Sequence, residues 1–173
     1  AVILSAYSFR RHQLLVDVGG GNGTMLRDIL DANPGLRGVV FDQPAVVADT
    51  LPIPGRMEVV GGDFFQGVPP GGDLYFLKSI IHDWDDEAAG RILGAIRGAI
   101  VPGGRLLLVD FVLSPGNRSE TGKLSDLLML AGKDGARERT RADFARLLAA
   151  NGFRLIRVTR TVAPFSLIVA EPV

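Results

Sequence analysis

Short, almost unbroken apolar runs, each followed by a glycine-rich turn or a helical pattern, constrain this chain most. Residues 14–18, 38–41, 57–60, 74–77 and 105–112 read as strands, and Leu106-Leu107-Leu108-Val109 is apolar throughout. Such strands need cover on both faces, which is the signature of a parallel sheet. Helical patterns lie between them, over residues 24–32 and 43–50 and after Asp85-Asp86-Glu87. In the last, Ile92, Leu93, Ile96 and Ile100 recur at helical spacing before Pro102-Gly103-Gly104 stops the helix. A further helix is expected over residues 122–131. Thr140-Arg141-Ala142-Asp143 reads as a capping-box start, with Phe144, Leu147 and Leu148 facing inward and Gly152 ending the helix. Residues 153–159 and 166–170 follow as strands with Pro164 between them. The expectation is an α/β fold: a mostly parallel seven-stranded sheet, a C-terminal antiparallel hairpin, and helices on both faces.

Composition narrows the function. Lys plus Arg and Asp plus Glu balance at 19 each, which argues against nucleic acid as a partner. There is no cysteine, so thiolate metal sites, thiol nucleophiles and disulfides are excluded, and no metal is expected. No apolar run approaches the roughly 20 residues of a membrane helix. The opening AVILSAY lacks the basic leader and cleavage site of a secretory signal. A start without Met suggests a piece of a longer, cytoplasmic protein. Sixteen Arg against three Lys suggests a GC-rich bacterial source.

In open α/β sheets the ligand sits beyond the carboxyl ends of the strands. After the first strand comes Gly19-Gly20-Gly21-Asn22-Gly23-Thr24. It is neither the dinucleotide fingerprint, because Thr24 takes the last glycine position, nor a P-loop, because no Lys follows. After the second strand comes Asp42, spaced to accept from ribose hydroxyls. After the third comes Gly61-Gly62-Asp63-Phe64-Phe65, where Asp63 can accept from an exocyclic amine and Phe64 can pack on a base. Together they describe a nucleoside site. Alternatively, both acids only cap turns and the glycines only turn the chain.

Read together, Leu15-Val16-Asp17-Val18-Gly19-Gly20-Gly21-Asn22-Gly23, Phe41-Asp42-Gln43-Pro44, Gly62-Asp63-Phe64-Phe65, Leu77-Lys78-Ser79-Ile80-Ile81-His82-Asp83-Trp84, Pro102-Gly103-Gly104 and Glu138-Arg139-Thr140 are informative. In that order the chain resembles S-adenosylmethionine-dependent O-methyltransferases of the plant caffeic acid and bacterial natural-product type, with a Rossmann-like fold. The resemblance implies that Gly19 and Gly21 hold the amino-acid part of the cofactor, with Asp42 and Gln43 at the ribose. It implies Asp63 and Phe64 at adenine and Lys78 near the cofactor's carboxylate. His82 would be the general base, with Asp110 and Glu138 as acidic neighbours, and Met129 would face the acceptor ring. Plant members often carry Glu where this chain has Asp110, one methylene shorter, which weakens direct contact with His82. The family also carries an N-terminal helical domain that makes a homodimer and helps wall the pocket. Residues 1–173 would then be the catalytic domain alone, acting on an aromatic small molecule in secondary metabolism and leaving S-adenosylhomocysteine.

The chemistry suits these residues. A phenol with pKa near 10 is only about one part in a thousand ionised at pH 7. A neutral His can take its proton during attack. Other readings are a relative with diverted chemistry, a cofactor-binding or assembly module without turnover, or a nicotinamide-binding domain. His12, between Arg11 and Gln13, reads as a surface residue, Trp84 as a core anchor, and Arg137-Glu138-Arg139 by itself as a solvated face.

Overall fold

The computed structural model describes residues 2–114, 126 and 135–173. In chain order the elements are α1 (Val2–Ala6), β1 (Leu14–Val18), α2 (Thr24–Asp31), β2 (Arg37–Asp42), α3 (Pro44–Val47), β3 (Met57–Gly61) and β4 (Leu74–Lys78). After a 3-10 turn at Ile81–Asp83 come α4 (Asp86–Ala99), β5 (Arg105–Asp110), β6 (Val112–Leu113), β7 (Arg139–Thr140), α5 (Arg141–Ala150), β8 (Phe153–Arg160) and β9 (Ser166–Pro172). The helix expected over residues 122–131, and Met129 with it, lies outside the described residues.

Seven strands form one sheet in the order β3-β2-β1-β4-β5-β9-β8. The pairs from β3 to β5 are parallel, and β9 runs antiparallel to both β5 and β8. The expected terminal hairpin is present, with its second strand seated inside the sheet rather than at the edge. Alternate side chains along a strand face opposite sides, and two cores result. Val16, Val18, Tyr75, Leu77, Leu106 and Leu108 pack with Ile92, Leu93 and Ile96 of α4 and Phe144 and Leu148 of α5. Leu15, Leu74, Phe76, Leu107 and Val109 pack on the other side with Leu26, Ile29 and Leu30 of α2 and Ile3 of α1. Burying each such side chain contributes about 1.5–3 kcal/mol.

Local chemistry sets the helix ends. Asp85 caps α4 by accepting from the Ala88 amide at 2.8 Å. Thr140 and Asp143 form the expected capping box of α5. Two elements are shorter than expected. The helix after β2 ends at Val47, since its two β-branched valines and Pro52 beyond disfavour continuation. The strand from Arg105 stops at Asp110, where its ladder with β9 ends at Ser166, and Val112–Leu113 pair instead with Arg139–Thr140. No helix among the described residues is long and apolar enough to cross a membrane.

His12 departs from expectation by being buried. Its Nε2 lies 2.8 Å from Tyr7 Oη and its Nδ1 3.6 Å from Asp73 Oδ2. Asp73 in turn accepts from the Gln13 and Leu14 amides. The arginines beside His12 masked a residue that pins the entry to β1. Burial lowers its pKa, with Asp73 opposing.

Candidate active site

Strand order reverses between β1 and β4, and the chain segments leaving those two strands flank the resulting crevice. The loop after β1 is strapped to β2: the Gly19 and Gly20 amides donate to Phe41 O at 2.8 and 3.2 Å. Gly19 has φ +72, and a methyl there would sit 2.4 Å from Ile80 Cδ1. Any side chain there would be strained and would displace Ile80, so the cofactor-type loop packs directly under the segment leading to His82. Gly21 has φ +57 with open space where a side chain would project.

Asp42 closes this half. Its Oδ2 accepts from the Gly21 amide at 2.8 Å and its Oδ1 from the Gln43 amide at 2.7 Å. Each carboxylate oxygen has two lone pairs, so the side chain orders the loop and still has capacity for a diol. Asp63 does similar work, accepting from the Phe65 amide at 2.9 Å and from Gln66 Nε2 at 3.3 Å. Both acids therefore serve local turns, and that role coexists with ligand binding. Gln43, Asp63 and Phe64 line a groove of about 720 Å³ with Gly62, Phe65 and Trp84. Trp84 stands edge-on to Phe64 and Phe65, with centroids 6.0 and 4.8 Å apart, so it is partly core and partly wall. Gly19, Gly21 and Lys78 line a second hollow of about 300 Å³ together with Asp17.

Asp17 is a site residue that the sequence reading did not single out. It is 3% exposed, its Oδ2 has no hydrogen-bond partner, and a methyl on Gly20 would lie 2.8 Å from it. Burial, with the Asp42 charge adding and Lys78 opposing, pushes its pKa up to about 7. Its apolar neighbours Val16 and Val18 hid it within a strand pattern.

The second cluster forms around the turn after β4. Ser79 enters it with φ +56, a left-handed conformation rare for a non-glycine residue. His82 is 8% exposed, and its Nδ1 lies 2.9 Å from Glu138 Oε1. Asp110 Oδ1 is 3.8 Å from the same nitrogen, beyond hydrogen-bond range. The shorter acid does fall short, and Glu138 is the imidazole's partner. Nε2 faces the other way, 3.6 Å from Asp83 Oδ1. With Glu138 as acceptor Nδ1 is the donor, and in the neutral imidazole Nε2 then keeps its lone pair. Burial alone would lower the His82 pKa. The Glu138 hydrogen bond and the Asp110, Glu138 and Asp83 charges outweigh it and raise the pKa. Asp110, fully buried, is pushed up to about 7 by desolvation, with His82 opposing and Glu138 adding.

The run around Glu138 is not a solvated face. Glu138 is 4% and Arg139 1% exposed. The Arg139 guanidinium donates to Ile81 O, Trp84 O and Asp86 Oδ1.

Residues 1–154 match the O-methyltransferase domain family. The chain belongs to this family. The chain is 44% identical over 178 residues to O-demethylpuromycin-O-methyltransferase of Streptomyces alboniger, covering 96% of this chain and 47% of that protein. It is 40% identical to phenazine O-methyltransferase PhzM of Lysobacter antibioticus, covering 99% of this chain and 52% of that protein. The structure of CalO1, a methyltransferase in calicheamicin biosynthesis in its S-adenosylhomocysteine-bound form, superposes with TM-score 0.93 at 39% identity. That match covers 99% of this chain and 52% of the other. The chain thus spans about half the length of the curated relatives it matches. The fold is that of S-adenosylmethionine-dependent methyltransferases. The glycine loop, the two strand-end acids and the hollow beside Lys78 fit that cofactor.

Proposed function

We propose that this domain transfers a methyl group from S-adenosylmethionine to a hydroxyl of an aromatic small molecule, with His82 as general base. The hydrogen bond from His82 Nδ1 to Glu138 carries the reading, because it leaves a buried, oriented imidazole with its other nitrogen available. Asp42 and Gln43 would hold the ribose, Asp63 and Phe64 the adenine, and Gly19, Gly21 and Lys78 the amino-acid end. The bound cofactor supplies a methyl on a sulfonium already activated toward displacement. The protein's part is to align the acceptor oxygen and to receive its proton. Alignment is worth up to ~7–11 kcal/mol, and a positioned base typically 10²–10⁴ in rate. His82 Nε2 takes the phenolic proton, and the Glu138 carboxylate stabilises the imidazolium that results. Asp110 adds a buried acidic neighbour at longer range.

Relatives named for puromycin and phenazine methylation support an aromatic acceptor in bacterial secondary metabolism. Because those relatives are about twice as long, residues 1–173 are proposed as the catalytic domain of a cytoplasmic homodimer. A helical N-terminal domain would complete the pocket. The test is His82→Gln in the full-length protein, with methyl transfer followed by mass spectrometry and S-adenosylhomocysteine binding by calorimetry. Turnover should fall about 10²–10⁴-fold with cofactor affinity kept. Undiminished turnover overturns the base assignment. Binding without any transfer by the unmodified protein would favour a non-catalytic module.

A further inference from the structure

Arg139 has the largest of the fully buried side chains among the described residues, and the chemistry above makes no use of it. Its Nη1 donates to Ile81 O at 2.9 Å and its Nη2 to Trp84 O at 2.8 Å. Nε and Nη2 also reach Asp86 Oδ1, at 3.0 and 2.8 Å. The two carbonyls bracket His82 in the chain. The main chain adds a third grip, since the Arg137 amide donates to His82 O at 2.9 Å. Glu138 lies between Arg137 and Arg139. The segment that offers its carboxylate to His82 Nδ1 therefore also holds the carbonyls of Ile81, His82 and Trp84.

Burying a guanidinium is costly unless its donors are satisfied. Here they are, and only a planar fork reaches two carbonyls and a carboxylate at once. The turn it grips is entered through Ser79 in a left-handed conformation, and strained backbone persists only where its surroundings over-determine it.

We propose that Arg139 is a positioning residue for the methyl transfer, fixing the turn at residues 81–84 against the Glu138 segment. Nδ1 then stays on Glu138, and Nε2 is presented to the acceptor. This rests on His82 as the base. The charged groups facing the imidazole are Glu138, Asp110 and Asp83, and Arg139 acts on Asp110 as well.

Arg139→Lys tests this while keeping the charge, so that a shift in His82 reports geometry. The lysine cannot reproduce the fork. In the full-length protein kcat should fall about 10²-fold, the scale of a misplacement near 1 Å. The KM for S-adenosylmethionine and the affinity for S-adenosylhomocysteine should stay unchanged. The His82 imidazole, identified by NMR as the resonance missing from His82→Gln, should titrate at lower pH as its hold on Glu138 loosens. Unchanged kcat and titration overturn the proposal. So does a fall in kcat that tracks lost cofactor binding and melting temperature with the titration unmoved, since that is a merely structural role. Should Arg139→Lys not fold, Asp86→Ala removes the guanidinium's exposed anchor and must lower the titration in the same direction. An unmoved titration there overturns the proposal too. If His82→Gln turns over normally, the base reading falls. The NMR titration still reports whether Arg139 holds the imidazole.

Discussion

Glu138→Gln separates charge from geometry at the imidazole. The amide oxygen can still accept from His82 Nδ1 across the 2.9 Å contact, so tautomer and ring orientation survive. What goes is the negative charge that stabilises the imidazolium. A hydrogen bond to a charged group contributes about 1.5–3 kcal/mol, against about 0.5–1.5 for a neutral one. The difference, about 1–1.5 kcal/mol, predicts a fall in kcat of roughly 5- to 13-fold. The pH profile gives the sign. In the parent, His82 titrates above its usual value, and the neutral base exists only above that point, so rate rises with pH through it. Without the Glu138 charge the acid limb should move to lower pH even as the plateau drops. The assay is initial-rate methyl transfer from pH 5.5 to 9 with saturating cofactor. Asp110→Asn is the control, because 3.8 Å is too long for a hydrogen bond. Its plateau should fall less. A limb that moves with Asp110→Asn but not with Glu138→Gln would refute the assignment of Glu138 as partner.

Three further outcomes are expected. Asp17→Asn should stabilise the protein at pH 8. With an unfolded value of 3.8 and a folded value of about 7, Asp17 favours folding fully below pH 3.8, and that contribution is lost as pH rises through 7. The shift is worth about 4 kcal/mol at most, at 1.36 per unit, and equal melting-temperature changes at pH 5 and pH 8 would contradict it. Asp42→Asn should weaken S-adenosylhomocysteine binding about 10- to 100-fold by calorimetry. Both oxygens accept backbone amides, and an NH₂ facing one of them costs about 1–3 kcal/mol. Gly19→Ala must shift Ile80 and strain a left-handed residue, so it should lower both cofactor affinity and kcat, whereas a change in one alone would show that the loop and the His82 turn are not in contact.

Much of the fold was legible because buried strands such as Leu106–Val109 leave few alternatives. Capping residues such as Thr140 and Asp143 also act within one turn. Asp42, Asp63 and the glycine loop were legible from their places at strand ends. Arg139 was not. Its partners lie on a turn more than 50 residues away, and a basic residue between Glu and Thr carries no local sign of burial. His12 was hidden for the same reason, since Asp73 is remote in sequence. The Glu138-over-Asp110 preference was half legible: the missing methylene could be read, the geometry that decides it could not.

The placement of β9 also constrains how the molecule is made. Strand β9 fills the slot between β5 and β8 although it follows both in sequence. During synthesis β5 therefore presents an open, highly apolar edge until residues beyond Ser166 emerge. Unpaired edges of this kind invite association with other chains, and the contacts that cover this one are long-range and slow to form. A chain cut just short of Ser166 would hold every proposed catalytic residue and leave its sheet unclosed. Emergence of residues 166–172 is thus the step that covers the β5 edge.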